Sequence, residues 1–381
     1  MDAGDYNLKN NNLVRVYKYL YDHHEATKME LVYALHLSLP TVTQDLEELL
    51  VNGRIIVDAG KRAVTKTGRP AAVYTFDSRH HISFGVEVLA DKFTVAAVDL
   101  YGSIILSKSF DLSFENTDQY FQSFGSYVNQ FIEQQQYEKD DILGITIAIQ
   151  GIVDKDNEHM LFGRLLNNTD FSRTDFGRYL NYPVSLIHDT EAAAIAENWH
   201  RSETGSAFFI SLNKNMGSAF IINNSVVHME NLSSGTIEHM TLYSNGRTCY
   251  CYCGKRGCAD VYCSAGSLER ASGLSIDDFF WKKKEGDHEC LSIWRQYLLD
   301  LATVIDNIRM VVPSDIILGG TVDEYMTDDD IRVLQDNIQD ITTFKGVAPL
   351  ILRSRYGTNG ALMGSALTDI ISYLKRNGLD V

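Results

Sequence analysis

The sequence of 381 residues predicts two structural units, an N-terminal winged helix-turn-helix domain and a larger α/β domain with at least two lobes. Three short helical patterns followed by a basic hairpin indicate the first unit. A run of strands followed by alternating strands and helices indicates the second, because that order is typical of α/β folds. A chain of this length can form two or three domains, each with its own core.

The first helices are predicted by the spacing of their apolar residues. Over residues 12–23 these side chains fall on one helical face: Leu13, Val16, Tyr17 and Leu20. A second short helix follows over residues 28–35. A third begins after Ser38, which is a good N-cap, and Pro40 lies in its first turn, where the missing N–H is harmless.

The third helix carries candidate DNA contacts. Its buried stripe is predicted to consist of Val42, Leu46, Leu49 and Leu50. Residues near its start face outward, with short side chains suited to base edges or phosphates. The predicted contacts on this helix are Ser38, Pro40, Thr41, Thr43 and Gln44.

A basic hairpin after the third helix completes the predicted domain. Residues 54–57 and 72–76 have the pattern of paired strands joined by a basic loop. The predicted DNA contacts of this wing are Arg62, Lys66 and Arg69. An arginine presented there can enter a minor groove. The alternatives are a solvated loop, and a three-helix domain that only mimics the first half of the pattern.

Charge is unevenly distributed along the chain. The net charge is −16, yet residues 1–80 carry ten basic and ten acidic side chains, so the excess of acids lies after residue 80. A local basic stripe on an acidic protein is compatible with nucleic-acid binding, because salt screening makes nearby charges dominate. No apolar run approaches a membrane span, and nothing at the N-terminus resembles a signal peptide. We therefore expect a cytoplasmic protein without a membrane partner.

The α/β part is predicted from residue 79 onward. Its expected elements are strands over 83–99 (two, with a turn), 104–109, 142–149, 184–187, 206–212, 217–222 and 316–320, and helices over about 117–136, 191–199 and 360–374. We expect the winged helix-turn-helix domain over residues 1–78. The first lobe is expected over residues 79–190, completed by residues 368–381, and the second lobe over residues 191–367.

One histidine and three cysteines have the spacing of a metal site. His239 is followed by Cys251, Cys253 and Cys258 in the pattern H-x11-C-x-C-x4-C. Three thiolates and one imidazole make a closed tetrahedral zinc site, in which no position is left for water. We therefore expect structural zinc rather than hydrolytic chemistry. The alternatives are buried free cysteines, disulfides in a secreted protein, or a shifted set in which Cys249 is a ligand.

Together these features resemble the ROK family (repressors, open reading frames and sugar kinases), and its repressor branch in particular. The family pattern Glu-x-Gly-His, then Cys-x-Cys-Gly-x-x-Gly-Cys-x-Glu, is similar to residues 236–239 and 251–260. Residues 144–154 and 165–197 are similar to two further family segments, with Gln150 where proline is usual. The resemblance implies a two-lobed, actin- and hexokinase-like fold related to ribonuclease H, with zinc and a dimerisation surface in the second lobe.

Kinases of this family hold nucleotide phosphates with two glycine-rich loops, because backbone N–H groups must approach the oxygens closely. Where the first loop reads Asp-x-Gly-Gly-Thr-Lys, residues 87–92 here read Glu-Val-Leu-Ala-Asp-Lys. Where the second reads Gly-Thr-Gly-x-Gly, residues 213–217 read Asn-Lys-Asn-Met-Gly. Side chains in place of glycines would crowd the phosphates, and the two acids would repel them. We expect no enzyme activity, with Asp189 a vestige of the family's catalytic base.

The resemblance also implies a sugar site between the lobes. Carried over position by position, its residues are His188, Asp189, Thr236, His239 and Asp260. Asparagine is usual in the family at positions 188 and 191, and glutamate at position 236. With one acceptor fewer, the pocket suits an altered sugar, a phosphosugar or no sugar. His239 would serve the zinc through one ring nitrogen and the ligand through the other.

We expect a DNA-binding transcriptional regulator, a repressor of carbohydrate-utilisation genes whose partners are operator DNA and a carbohydrate effector. Paired winged helices imply a homodimer or homotetramer. Two alternatives stay open. One is an ATP-dependent sugar kinase with a DNA-binding appendage, and the other is a regulator whose former sugar domain serves only as a scaffold for dimerisation and partners.

Overall fold

The computed structural model describes residues 11–63, 71–166, 170–199, 201, 205–228, 236–244, 249–346 and 349–379, without the side chains of residue 11 and residues 58–63. Within these ranges the chain forms an N-terminal domain with a three-stranded sheet, followed by two lobes that each contain a five-stranded sheet. No described helix is both long and apolar enough to cross a membrane.

The N-terminal domain consists of three helices and a small antiparallel sheet. Its elements are α1 (Asn11–His23), β1 (Glu25–Thr27), α2 (Lys28–Leu35), α3 (Leu39–Val51), β2 (Ile55–Ala63) and β3 (Ala71–Phe76). The strand order is β1-β3-β2, so the β2–β3 hairpin forms the wing. The predicted helices and hairpin are present. The structure adds β1, a strand of three residues that is too short to show a period of two.

The apolar stripe of α3 lies in the core of this domain. Val42, Leu46 and Leu49 are fully buried, whereas Leu50 is half-buried. Ser38 caps the helix, because its Oγ accepts a hydrogen bond of 3.3 Å from the N–H of Thr41. The helix therefore begins where the sequence predicts, and its opposite face remains at the surface.

The first lobe is a five-stranded sheet with helices packed against it. Its elements are β4 (Ile82–Val88), β5 (Lys92–Asp99), β6 (Ile104–Asp111), α4 (Asp118–Glu133), β7 (Ile142–Ile149), β8 (Ile152–Val153), β9 (Met160–Phe162), α5 (Arg173–Gly177) and β10 (Val184–His188). The sheet order is β10-β7-β4-β5-β6. Buried aromatic side chains fill its core, among them Phe84, Phe93, Phe124 and Phe176.

The second lobe follows the connecting helix α6 (Asp189–Trp199). Its elements are β11 (Ala207–Leu212), β12 (Met216–Ile222), β13 (Ser225–Val226), α7 (Asp260–Cys263), α8 (Ala265–Ser272), α9 (Ile276–Lys284), α10 (His288–Val311), β14 (Asp315–Gly319), α11 (Thr321–Tyr325), α12 (Asp328–Ile341) and β15 (Ile351–Arg353). The sheet order is β13-β12-β11-β14-β15. The chain then ends in α13 (Gly360–Arg376).

The two lobes share one topology. In each, three antiparallel strands in sequence are extended, on the side of the first strand, by two parallel strands. This repeated arrangement is the two-lobed α/β architecture that the strand pattern predicts. The sequence pattern predicts no helix between residues 222 and 316, whereas the described residues of that range form four α-helices, including the 24-residue α10.

Helix α13 packs against both the first sheet and α6. The two helices meet at their backbones, since a Cβ on Gly364 would lie 1.6 Å from the carbonyl oxygen of Ala192. Contact with the sheet begins early in the helix, because a Cβ on Gly85 would lie 2.4 Å from the carbonyl oxygen of Leu362. The whole of α13, and not only the part after residue 367, therefore lies on the first lobe.

The C-terminal end of α13 also packs against the N-terminal domain. One buried apolar cluster contains residues from both sides: Leu13, Val16, Tyr17, Tyr373, Leu374 and Leu379. Nη1 of Arg54 donates a hydrogen bond of 2.8 Å to Oδ1 of Asn377, and both residues are buried. The winged helix-turn-helix domain is thus fixed to the first lobe by buried contacts.

Candidate functional site

A cleft lies between the lobes where β10 ends and α6 begins. His188 is the last residue of β10 and Asp189 the first of α6. Both lie at the carboxyl end of parallel strands, where α/β sheets bind ligands. The β11–β12 turn and a short 3-10 helix, Ile237–His239, form the facing wall. The polar residues of the lining are Gln150, Arg164, His188, Asp189, Thr190, Ser211, Asn213, Asn215, Glu238, His239 and Tyr252.

His188 and Asp189 form an ion pair in this cleft. Nδ1 of His188 lies 3.0 Å from Oδ1 of Asp189. Burial disfavours the imidazolium, but the carboxylates of Asp189, Glu238 and Glu191 outweigh it and raise the pKa of His188 to about 9. The imidazole is therefore charged at neutral pH. The N–H of Thr190 donates a hydrogen bond of 2.8 Å to the same Asp189 oxygen and holds the carboxylate in place.

Glu238 supplies a carboxylate that the sequence analysis did not assign to the site. It is buried and lines the cleft, and its burial raises its pKa to about 7. Thr236, the residue expected there, precedes the 3-10 helix and does not line the cleft. The family pattern places its glutamate three residues before the histidine, which is position 236 here. The sequence does contain an acid near that position, because Glu238 directly precedes His239.

Asp260 also differs from its expected position. It begins α7 and is buried, and it accepts hydrogen bonds from the N–H of Met216 at 2.8 Å and from Nδ2 of Asn215 at 3.3 Å. Burial raises the pKa of its carboxyl group. Asp260 is not among the residues that line the cleft. It acts on the cleft indirectly, by fixing the turn between β11 and β12.

The two segments that correspond to the kinase phosphate loops are occupied by side-chain contacts. In the β11–β12 turn, the N–H of Met216 is bonded to Asp260, and Oδ1 of Asn213 accepts a hydrogen bond of 2.9 Å from the first residue of α11. At the end of β4, burial and the nearby Asp189 carboxylate raise the pKa of Glu87 to about 7. A nucleotide would need free backbone N–H groups in these two segments. One of those N–H groups, that of Met216, is already hydrogen-bonded, and Glu87 presents a carboxyl group.

The four predicted metal ligands come together in the second lobe. One ligand atom from each of His239, Cys251, Cys253 and Cys258 lies within 4.8 Å of all the others. Nδ1 of His239 is 3.6 Å from Sγ of Cys251, and the Sγ atoms of Cys253 and Cys258 are 3.7 Å apart. Thiolates about 2.3 Å from a tetrahedral zinc would be about 3.8 Å apart, so the set fits zinc. Cys249 is exposed and lies outside this group.

A tight glycine turn brings the cysteines together. Gly254 and Gly257 have positive φ angles of 90° and 78°. A Cβ on Gly257 would lie 1.8 Å from the carbonyl oxygen of Tyr243, so only glycine fits. His239 belongs both to this metal group and to the lining of the cleft. This group of four side chains therefore directly supports one wall of the cleft.

The predicted DNA contacts of α3 lie at the N-terminal end of this helix, on the protein surface. They are exposed or half-buried: Ser38, Pro40, Thr41, Thr43 and Gln44. The hydroxyl groups of Ser38 and Thr41 are 2.8 Å apart, so these two side chains also organise the start of the helix. The side chain of Arg62 and the residues Lys66 and Arg69 lie outside the described part of the chain.

Residues 83–368 match the model of the ROK family, which covers both lobes. The chain belongs to the ROK family. The resemblance inferred from the zinc segment and the interlobe segments is thereby confirmed.

Curated relatives of this ROK protein include repressors and a kinase. The xylose repressor of Bacillus spizizenii is 26% identical over 235 residues, which are 61% of this chain and 60% of that one. The Escherichia coli DNA-binding transcriptional repressor Mlc is 23% identical over 282 residues, 71% of this chain and 67% of that one. A glucokinase of Halalkalibacterium halodurans is 26% identical over 208 residues, 48% of this chain and 63% of that one. The chain thus spans about 60% of the first repressor's length.

Two solved structures have the same fold. A ROK family transcriptional regulator, described as a homologue of Escherichia coli Mlc, matches with a TM-score of 0.73 and 17% identity over 96% of this chain and 99% of that one. A ROK family glucokinase from Streptomyces griseus, solved with glucose and AMPPNP, matches with a TM-score of 0.63 and 17% identity over 75% of this chain and 98% of that one. The predicted fold, a winged helix-turn-helix followed by a two-lobed actin- and hexokinase-like domain, is confirmed.

Proposed function

We propose that this ROK protein is a cytoplasmic transcriptional regulator that represses carbohydrate-utilisation genes and responds to a carbohydrate bound in the interlobe cleft. The winged helix-turn-helix domain would bind operator DNA, and a homodimer or homotetramer would supply paired recognition helices. The similarity to a xylose repressor and to Mlc supports this proposal.

The observation that carries the proposal is the buried connection from the cleft to the DNA-binding domain. Asp189, in the cleft, is the first residue of α6, and α6 packs along α13 at Gly364. The other end of α13 holds the N-terminal domain through the hydrogen bond between Arg54 and Asn377. A ligand that changes the closure of the cleft would therefore move the winged helix, because packed helices shift as rigid units.

The cleft suits a ligand with many hydroxyl groups. It offers a charged imidazole at His188, carboxyl groups at Asp189 and Glu238, and the amide side chains of Gln150 and Asn215. Sugar hydroxyls both donate and accept hydrogen bonds, and charged partners strengthen such bonds. A carbohydrate is therefore the class of effector that this lining favours.

The predicted effector residues would then have two kinds of role. His188, Asp189 and His239, which line the cleft, would contact the sugar. Glu238 would take the place assigned to Thr236, and Asp260 would position the β11–β12 turn. Binding measurements on single variants can distinguish the residues that would contact the sugar from Asp260, which would only position the turn.

The ligand set His239, Cys251, Cys253 and Cys258 would hold a Zn²⁺ ion. A zinc ion with four protein ligands supplies a rigid cross-link rather than Lewis-acid catalysis. The residues themselves then do two things. The glycine turn brings the cysteines together, and His239 presents its ring to the cleft.

We propose further that the chain does not phosphorylate sugars. Leu89 and Ala90 stand where the family's first loop has its two glycines, and the N–H of Met216 is already bonded to Asp260. The imidazolium of His188 pairs with Asp189, which weakens that carboxylate as a proton acceptor. Without a held γ-phosphate, a base beside a sugar hydroxyl has no group to transfer.

A thermal-shift screen tests this proposal. Purified, zinc-loaded wild-type protein, D189N and the surface control D156N would be screened with mono- and disaccharides, sugar phosphates and ATP. We expect a sugar to raise the melting temperature of the wild type and D156N but not of D189N, and ATP to have no effect. Stabilisation by ATP would restore the kinase alternative. No stabilisation by any sugar would favour the scaffold alternative.

A further inference from the structure

A second cavity lies along the side of α6, toward the end away from Asp189. It has a volume of about 330 Å³ and is enclosed by α6, the C-terminal half of α13 and the β12–β13 hairpin. None of its lining residues lines the interlobe cleft. It is therefore a separate cavity, bounded by the two helices that connect the cleft to the DNA-binding domain.

Arg201, two residues after the end of α6, is a buried cation in the lining of this cavity. Its side chain is only 4% exposed, and Nε, Nη1 and Nη2 have no hydrogen-bond acceptor among the described residues. Oδ2 of Asp315 lies 3.6 Å from Nη2, so the two side chains form an ion pair whose atoms are too far apart for a hydrogen bond. Asp315 balances the charge, but buried N–H donors without acceptors are costly, so this position favours the binding of an oxyanion.

The neighbouring polar groups have the complementary chemistry. Lys375 is exposed at the cavity and forms no ion pair within the described residues. Oδ1 of Asn198 is buried and has no partner in the described part of the chain, while Nδ2 of the same residue donates a hydrogen bond of 2.7 Å to the carbonyl of Asn224. Glu191, an acid in the same lining, is already paired with His228 at 2.7 Å. The N–H donors of Arg201, the ammonium group of Lys375 and one hydroxyl acceptor therefore remain for a ligand.

We propose that this cavity binds a phosphoryl group through Arg201 and Lys375, with Asn198 as the acceptor for a ligand hydroxyl. Arginine matches phosphate through its planar fork of N–H donors, and lysine acts as a point charge. The nitrogens of Arg201 are covered by protein, so its terminal torsions turn toward the cavity on binding. Because α6 and α13 both line the cavity, the bound anion stabilises their packing. The protein would thus respond to a second ligand, independently of the proposed response to sugar.

Isothermal titration of full-length, zinc-loaded protein with inorganic phosphate tests this site, in a phosphate-free buffer at constant ionic strength. The variants are R201Q and K375Q, and the matched control is R376Q, which changes the next cation along α13 but does not line the cavity. We expect saturable binding by the wild type and R376Q, binding about 10-fold weaker in K375Q, and none in R201Q. K375Q, at an exposed position, keeps the test decisive if R201Q does not fold.

Two further arms identify the source of the phosphoryl group. The interlobe variant D189N should bind phosphate as the wild type does, which separates this cavity from the cleft. Tighter binding of glucose 6-phosphate than of inorganic phosphate to D189N would identify a phosphorylated metabolite, and equal binding would identify free phosphate. Non-saturable binding, or equal affinities in the wild type, K375Q and R201Q, would overturn the proposal.

Discussion

His188 is the last residue of the largely buried strand β10, and its imidazole lies beside the carboxylate of the next residue, Asp189. The family usually has asparagine at this position, a neutral side chain. A histidine that stays protonated at neutral pH gives Asp189 a counter-charge, which reduces its tendency to take up a proton but not its ability to accept a hydrogen bond. At the scale of these two residues, the site is better suited to holding a hydroxyl group than to deprotonating it.

The charge of His188 predicts a pH dependence of stability. Its pKa in the folded protein, about 9, is above the ordinary histidine value of 6.5. Folding therefore gains stability from this group fully below pH 6.5, and the gain is lost as the pH rises through 9. In urea unfolding at pH 7, 8, 9 and 10, the stability advantage of the wild type over H188N should shrink steadily. A constant difference across that range would show that the imidazole is neutral.

The metal segment is the element for which the ligand choice can be tested most directly. Replacing Cys253 by serine removes one of the four ligands, so C253S should lose most of its zinc and bind the effector at least about 10-fold more weakly, because His239 is shared with the cleft. The matched variant C249S should keep one zinc per chain, since Cys249 lies outside the group. The zinc content of both variants is measured by metal analysis of purified protein. Loss of zinc in C249S with retention in C253S would assign the shifted ligand set.

Helix α3 is the element proposed to read DNA. Gln44 is exposed on it, and a glutamine can bond to the edge of adenine with two hydrogen bonds. Q44A should weaken operator binding by about 10- to 100-fold while leaving the melting temperature and zinc content unchanged. V51A, an exposed position at the other end of the helix, is the matched control. Equal operator affinity of Q44A and V51A would show that this part of α3 does not contact bases.

At the scale of the whole molecule, α13 is a single rigid element that contacts α6, the first sheet and the winged helix-turn-helix domain. Signals between the cleft and the DNA would pass through this helix. N377A removes the acceptor for the buried guanidinium of Arg54. We expect N377A to bind sugar and operator separately, but the effect of sugar on operator affinity should fall from the usual 5- to 150-fold range to under about 3-fold.

This coupling is measured by titrating operator DNA with and without a saturating sugar. D156N changes an exposed residue of the first lobe that takes no part in the Arg54–Asn377 contact, and it serves as the control. Full coupling in N377A would show that the effect of the ligand reaches the DNA by another route.

Local patterns were sufficient to predict much of this molecule. The four predicted metal ligands lie within twenty residues of one another, so their spacing alone brings them together in a tight turn. The longer strands of both lobes and the helices of the N-terminal domain follow from their apolar patterns and from the Ser38 cap, whereas the short strands β8, β9, β13 and β15 were not predicted. These features depend on interactions that are close in sequence.

Contacts between distant segments could not be predicted in this way. Whether Thr236 or Glu238 faces the cleft depends on the conformation of one short 3-10 helix. The position of Asp260 depends on hydrogen bonds to a turn more than forty residues away. The same holds for the docking of α13 on the N-terminal domain, since Arg54 and Asn377 are 323 residues apart.

One measurement tests the central claim most directly: the affinity of the protein for a DNA duplex, with and without the sugar found in the thermal-shift screen. The duplex would be selected from a random-sequence pool by the purified, zinc-loaded protein, and binding followed by fluorescence anisotropy at fixed salt. We predict specific binding that the sugar changes at least about 5-fold and that ATP leaves unchanged. Specific binding that no sugar alters, or a response to ATP instead, would contradict the account of a sugar-sensing regulator.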